Sequence, residues 1–400
     1  MNSKELEIVK WIDKHESEVL RIATDLIRIR TIGKRPDSNT RYAELNSYLV
    51  AEFEKVGIKH HIYRKGSDGG PNFVATLCGT GGGKTLAIGG HTDVVPADES
   101  DWITEDGYEA KVIDGKLYGR GSADMKGGLA ACLVAIRSLV ENKISLKGDV
   151  VFVGSVDEEV EGSNGMKFLV ESGAVKADYF INAEQTGIEI MTAYKGNCWI
   201  EVKVSGVAAH GSTPHLGVNA IEKAAKIIET IGRIGLTWET DPILGPSTIN
   251  IGLIKGGTAK NVVPDECVFS LDVRLITGMT AESVLAEVQN LLKRMMRNDP
   301  RLKATAAFSA NNTAPVIIQE TEPLVQALLQ RGEELTGIKP KMSSFISSGD
   351  MWHLLKNDVP ALLCGPGLLA NIHKSNEHAL VSELMLATKL YALTAVSLCK

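Results

Sequence analysis

The run Val150-Val151-Phe152-Val153-Gly154-Ser155-Val156 is almost wholly apolar and stops on three consecutive acids, Asp157-Glu158-Glu159. A strand without polar alternation has to be covered on both faces, the situation of a parallel sheet between helices. Three adjacent carboxylates at its end repel one another unless solvent or cations come between them. In open α/β sheets that end is where ligands bind. This one stretch therefore points to an α/β layer whose rim gathers acids. Two adjacent glutamates there allow two roles, one binding a metal and the other acting on water.

The flanking pattern extends this reading. Residues 5–30, 40–56, 126–142 and 164–172 have the spacing of amphipathic helices, and 73–77, 85–90, 150–156 and 179–183 read as strands. Strands that alternate with helices predict a mostly parallel sheet. Near residue 194 the pattern changes: strand 198–205 alternates, followed by helix 218–234, strands 247–254 and 266–274, helix 280–297 and strand 303–309. That order is β-α-β-β-α-β, a split unit of the ferredoxin-like kind. The α/β style returns with helix 322–336, an extended segment at 340–346, strand 359–364 and helix 381–398. The expected organisation is a catalytic domain in two parts, 1–193 and 310–400, with an α+β domain inserted at 194–309. The apolar strand 247–254 is expected at an edge of the inserted sheet, where it invites pairing with a second chain.

Composition excludes some partners. The chain has 400 residues, a formal net charge of -6 and no block of Lys and Arg, so nothing in it argues for nucleic acid or an anionic membrane surface. No stretch approaches the roughly 18 continuous apolar residues of a membrane span, and Met1 to Asp13 lacks the apolar core of a signal peptide. Cys78, Cys132, Cys198, Cys267, Cys364 and Cys399 are scattered without a CxxC, which fits reduced thiols in a cytoplasmic protein.

Four further segments carry chemistry. Strand 85–90 ends in His91-Thr92-Asp93, which places a ring nitrogen at the sheet rim with a carboxylate two residues on, suited to holding the ring's second nitrogen. Gly119-Arg120-Gly121-Ser122-Ala123-Asp124-Met125-Lys126-Gly127 delivers Asp124 from a glycine-rich turn, where it reads alone as a helix cap. Glu184 follows strand 179–183, and His373 stands in Asn371-Ile372-His373-Lys374-Ser375-Asn376-Glu377. Jointly, His91, Asp124, Glu159, Glu184 and His373 are five N/O ligands without a thiolate. Such a set suits two divalent ions, zinc with cobalt or manganese as substitutes, one carboxylate bridging them. Gly79-Thr80-Gly81-Gly82-Gly83-Lys84-Thr85 is not a phosphate-binding loop: Cys78 occupies the first glycine position and a strand follows, so it reads as a hairpin turn.

These motifs resemble, in order and over essentially the whole chain, the aminoacylase-type binuclear zinc metallohydrolases, the relatives of acetylornithine deacetylase, succinyl-diaminopimelate desuccinylase and the glutamate carboxypeptidases. The resemblance implies that Asp124 bridges two metals, with His91 and Glu184 completing one site and Glu159 and His373 the other. It makes Glu158 the general acid/base and has Asp93 orient His91. It also implies a cis peptide at Asp124-Met125. Ala209-His210-Gly211-Ser212 is similar to the segment whose histidine stabilises the oxyanion in a partner subunit's site, which implies a homodimer formed through the inserted lid. Asn261 and Arg274 are similar to the family's substrate-binding residues, and Arg is suited to a fork-on-fork pair with a substrate carboxylate. The implied reaction removes the acyl group from an N-acyl amino acid by attack of metal-activated water; cleavage of a dipeptide needs the same residues. A catalytically silent binding protein on this fold would lack a ligand or the base, and none is missing. Glu161-Gly162-Ser163-Asn164-Gly165, Gln185-Thr186 and Ser347-Ser348-Gly349-Asp350 depart from the family's pattern.

Overall fold

In the computed structural model Val150–Ser155 is buried throughout, between Asn72–Leu77 and Leu86–His91. The structure describes residues 1–400 apart from 34, 36, 67, 68, 99, 161, 162, 235–237, 239, 310, 311, 347 and 348, and the side chains of 233 and 234. Two compact units emerge: Met1–Thr192 with Ile318–Ser343 and Gly349–Lys400, and Ala193–Ile317 with Ser344–Ser348.

In the first unit the sheet runs Lys59–Tyr63, Asn72–Leu77, Val150–Ser155, Leu86–His91, Tyr179–Asn182, Ala361–Leu363, Ile190–Tyr194. Val150–Ser155, Leu86–His91, Tyr179–Asn182 and Ala361–Leu363 pair in parallel, whereas Lys59–Tyr63 with Asn72–Leu77, Asn72–Leu77 with Val150–Ser155, and Ala361–Leu363 with Ile190–Tyr194 are antiparallel. The expectation of a mostly parallel sheet is thereby corrected to a mixed one with a parallel centre. Three of the four central strands end at candidate residues: Leu86–His91 at His91, Val150–Ser155 at Asp157-Glu158-Glu159, and Tyr179–Asn182 just before Glu184. Lys126–Glu141 is buried on nearly every side and packs against Glu16–Arg28 and Val381–Leu398. A Cβ at Gly128 would stand 2.2 Å from the Ala183 carbonyl oxygen, so glycine lets this helix press against the segment that presents Glu184. Val381–Leu398 is long and apolar enough to cross a membrane, yet it packs as a core helix against Lys126–Glu141 and Pro323–Thr336.

Two local expectations fail for readable reasons. The helix expected over 5–30 is two, Ser3–Lys14 and Glu16–Arg28. His15 leaves helical geometry between them, its Nδ1 2.7 Å from the Trp11 carbonyl oxygen and its ring stacked on the Trp11 indole. No Gly or Pro marks the break. The glycine-rich turn 79–83 does not close a hairpin: Asn72–Leu77 and Leu86–His91 flank Val150–Ser155 from opposite sides and do not pair. The glycines are needed for close passage over that strand's start. A Cβ at Gly79 would meet the Lys147 oxygen at 2.3 Å, and one at Gly83 the Gly148 nitrogen at 2.3 Å. The small sheet of Lys111–Ile113, Lys116–Tyr118 and His378–Leu380 has no counterpart in the sequence reading; these strands are too short to show a period.

The second unit holds a four-stranded antiparallel sheet, ordered Thr248–Gly256, Glu266–Leu275, Gly196–Ser205, Lys303–Phe308. Along Gly196–Ser205 burial alternates: Cys198, Ile200, Val202 and Val204 are buried, while Trp199, Glu201 and Lys203 face outward. Helices Ala220–Ile234 and Ala281–Asn298 pack on the sheet. Where residue 309 was expected to close this domain, the unit continues to Ile317 and takes in Ser344–Ser348. The Asn197 and Thr313 backbones exchange hydrogen bonds, and the Lys195 N–H donates to the Phe345 carbonyl. Thr248–Gly256 is an edge strand with Leu253 71% and Ile254 56% exposed.

Candidate metal centre

His91 Nε2 stands 2.9 Å from Asp124 Oδ1 and 3.4 Å from Glu184 Oε1. His373 Nε2 stands 3.2 Å from Asp124 Oδ2 and 3.1 Å from Glu159 Oε1. The two oxygens of Asp124 thus face two different histidine–carboxylate pairs. One imidazole proton shared between two carboxylates makes two weakened hydrogen bonds, whereas a cation can bond to all three donors at once. With ligand bonds of about 2.0–2.1 Å, the edges of a tetrahedral zinc site measure roughly 3.3 Å, close to the spacings found here. All five sequence-predicted ligands are brought together, and the donor set fits two borderline-hard divalent ions.

His91 and the Glu158-Glu159 pair are held from behind by Asp93. The Asp93 carbonyl oxygen lies 3.0 Å from His91 Nδ1. With Nδ1–H donating there, the Nε2 lone pair points into the site. The Asp93 carboxylate is 3.7 Å from Nδ1 and instead accepts from the backbone N–H of Glu158 at 3.3 Å and of Glu159 at 3.0 Å. Asp93 therefore stands behind the His91 ring, its carbonyl the nearer group, while its side chain anchors the acidic pair. Asp157, which precedes that pair, has φ 62° and accepts from Asn164 Nδ2 at 2.8 Å. His373 is also left-handed, with φ 57°; such conformations concentrate at functional sites. The peptide bond Asp124-Met125 is cis.

The electrostatics of the metal-free cluster follow from crowding. Burial pulls the His91 pKa down, but Glu184 and Asp124 outweigh it and raise it well above the usual value. Hydrogen bonds to Asp124 and Glu159 raise His373 to about 10. Burial, then the charge on Asp124, lifts Glu184 to about 7. Glu158 is driven well above the ordinary carboxylate range by burial, with Glu184, Asp350 and Glu159 adding repulsion against the attraction of His91. Metals bind deprotonated ligands, so a cation entering at neutral pH has to displace the His373 proton. Metal affinity is therefore expected to fall with falling pH, about tenfold per unit for each proton displaced. Isothermal titration in buffers of different ionisation enthalpy should report release of at least one proton per chain, and heats independent of buffer would contradict this.

The sequence reading missed several supporting residues. Asp350 is buried and accepts from Ser155 Oγ at 2.7 Å; burial raises its pKa. Its signal was a lone acid in the apolar setting Gly349-Asp350-Met351-Trp352. Lys126 is buried, its Nζ donating to the carbonyls of Leu26 at 2.9 Å and Ile29 at 2.6 Å. Gln185 is buried, and Thr186 Oγ1 donates to the Glu189 carbonyl at 2.7 Å. Glu161, Gly162, Ser347 and Ser348 lie outside the described residues.

The remaining candidates belong to the second unit. His210 Nδ1 is 2.7 Å from Ser212 Oγ, and the Gly211 N–H donates to the Asn261 carbonyl at 2.7 Å, so the His210 and Asn261 loops lie side by side. Arg274, on Glu266–Leu275, makes a 2.9 Å ion pair with Asp272.

Residues 87–397 match the sequence profile of peptidase family M20/M25/M40. The chain belongs to that family. M20 members are metal-dependent hydrolases, which accords with the donor set above. Among curated proteins the chain is 32% identical to the N-formyl-4-amino-5-aminomethyl-2-methylpyrimidine deformylase of Halalkalibacterium halodurans, over 96% of this chain and 95% of that one. It is 30% identical to the acetylornithine deacetylase of Myxococcus xanthus, over 94% and 96%. Among solved structures, human carnosine dipeptidase 1 superimposes with a TM-score of 0.78 over 100% of this chain and 99% of that one, at 18% identity, which speaks for the shared M20 fold.

Proposed function

We propose that this M20 hydrolase is an N-deacylase that removes a small acyl group from the nitrogen of an N-acyl amino acid or a related amine. The observation that carries the reading is the arrangement of Asp124 between two histidine–carboxylate pairs, with the half-buried Glu158 adjoining them. The two curated relatives, a deformylase and a deacetylase by name, favour a small acyl group.

His91, Asp124 and Glu184 would hold one divalent ion, zinc by preference, and Glu159, His373 and Asp124 the other. Such ions polarise the amide carbonyl and acidify the attacking water. Glu158 takes the proton of that water as its oxygen bonds to the carbonyl carbon. It then returns the proton to the nitrogen as the C–N bond breaks, releasing a carboxylic acid and an amine. The carboxylates that raise its pKa favour the protonated form needed in the second step. In this reading His210, supplied by a second subunit, donates to the developing oxyanion, and Asn261 with Arg274 holds a substrate carboxylate. Edge pairing of Thr248–Gly256, with its exposed Leu253 and Ile254, supports a homodimer. The six free thiols suit a cytoplasmic location.

The test is release of free amine from N-formyl, N-acetyl and N-succinyl amino acids, an N-formyl aminomethyl heteroaromatic and a set of dipeptides, with zinc- or cobalt-loaded protein and a chelator control. Chelator-sensitive release from the acyl compounds is expected. Release from dipeptides alone would replace the reading with a peptidase one, and no release from any compound would overturn it.

A further inference from the structure

Arg120 and Glu377 form a buried ion pair, Nη1 to Oε2 at 2.6 Å, which the chemistry above does not use. Glu377 Oε1 accepts three backbone N–H groups of the glycine-rich turn: Gly121 at 2.9 Å, Ala123 at 3.1 Å and Asp124 at 3.1 Å. The Glu377 carbonyl accepts from the Gly119 N–H at 3.0 Å. Arg120 Nη1 also donates to the Lys374 carbonyl at 3.3 Å, and its Nε to the Pro96 carbonyl at 3.2 Å. The pair therefore joins the turn that carries Asp124 to the segment that carries His373, and touches the loop that follows His91. Burying an ion pair is a poor way to gain stability but a good way to fix geometry when its donors and acceptors are all used.

The five ligands do not depend on it equally. His91 and Glu184 leave the ends of central strands, and neither is bonded to Arg120 or Glu377 among the described contacts. His373 comes from a connection between the short helix Leu369–Asn371 and the three-residue strand His378–Leu380, with a side chain nearly half exposed. Apart from the approach of its own ring to Asp124, the described hydrogen bonds that tie its segment to the Asp124 turn run through this pair.

We infer that Arg120 and Glu377 are positioning residues that hold His373 against Asp124, and so set the affinity of the ion bound on the His373 side while leaving the ion on the His91 side largely intact. The inference rests on the two-ion reading of the site but not on which amide is cleaved.

The experiment is titration of the metal-free full chain with cobalt(II), against a chromogenic chelator, for the wild type, Glu377→Gln, Arg120→Lys and His373→Ala. Glu377→Gln keeps the side chain's size but loses the charge. We expect one ion bound with near wild-type affinity and the second weakened about 10–100-fold, as is usual when a group supporting a ligand is lost. Its one-ion cobalt spectrum should match that of His373→Ala, and Arg120→Lys should fall between wild type and Glu377→Gln. A purely structural role would weaken both ions together or neither. Two ions at wild-type affinity in Glu377→Gln, or parallel loss of both, overturns the inference. If Glu377→Gln fails to fold by circular dichroism, Arg120→Lys is judged by the same two outcomes. A wild type that binds fewer than two ions overturns the two-ion reading and this inference with it.

Discussion

Asp124→Ala is expected to leave the protein unable to retain either ion after dialysis and to lower turnover on the order of 10⁴-fold or more. The size follows from what the ions supply: without them the attacking water keeps a pKa near 15.7 rather than about 7. Asp124 is the only one of the five residues whose carboxylate faces both histidines, at 2.9 and 3.2 Å. His91→Ala and Glu184→Ala should each weaken mainly one ion, because their contacts lie on one side. Metal analysis of the dialysed variants, with amine release measured in parallel, checks both statements. An Asp124→Ala protein that keeps one tightly bound ion would mean that the carboxylate does not bridge.

Glu158→Gln is the second large effect, and it should separate chemistry from metal binding. The amide cannot take a proton from water or return one to the leaving nitrogen, so kcat should fall about 10²–10⁴-fold. That loss corresponds to roughly 3–5 kcal/mol of barrier. Both ions should remain bound, because Glu159 is the neighbour that approaches His373. The substitution also removes a half-buried acid that Glu184, Asp350 and Glu159 repel, so the metal-free protein should lose no stability. Steady-state rates with metal content on the same samples decide it; near-normal rate with both ions bound would remove Glu158 from its assigned role.

The clustering of the five candidate residues was legible because each acid or histidine at a strand end sits after a run whose apolar character is visible along the chain. His91, Glu159 and Glu184 follow that rule, and the parallel centre of the sheet brings them to one rim. Asp124 and His373 lie on loops; alone they read as a helix cap and an isolated histidine, and only the joint pattern with its resemblance identified them. What supports the ligands was not legible. Arg120 and Glu377 stand 257 positions apart, and no local spacing announces a buried pair of that kind. That the Asp93 carbonyl lies nearer the His91 ring than its carboxylate was not legible, because residue type does not say which atom will reach the ring. The glycine-rich turn 79–83 was taken for a hairpin because its close approach to Lys147 and Gly148 depends on the strand between its flanks. The break at His15 depends on a side-chain contact with Trp11 rather than on propensity. Asp350 was hidden as a single acid with no partner nearby in sequence, its partner being Ser155.

The central claim, that Asp124 bridges two ions held by His91, Glu184, Glu159 and His373, is tested most directly by anomalous scattering at the zinc edge from crystals of the zinc-loaded protein. The account predicts two peaks about 3.5–4 Å apart, one beside each oxygen of Asp124. A single peak, or peaks away from Asp124, would contradict it.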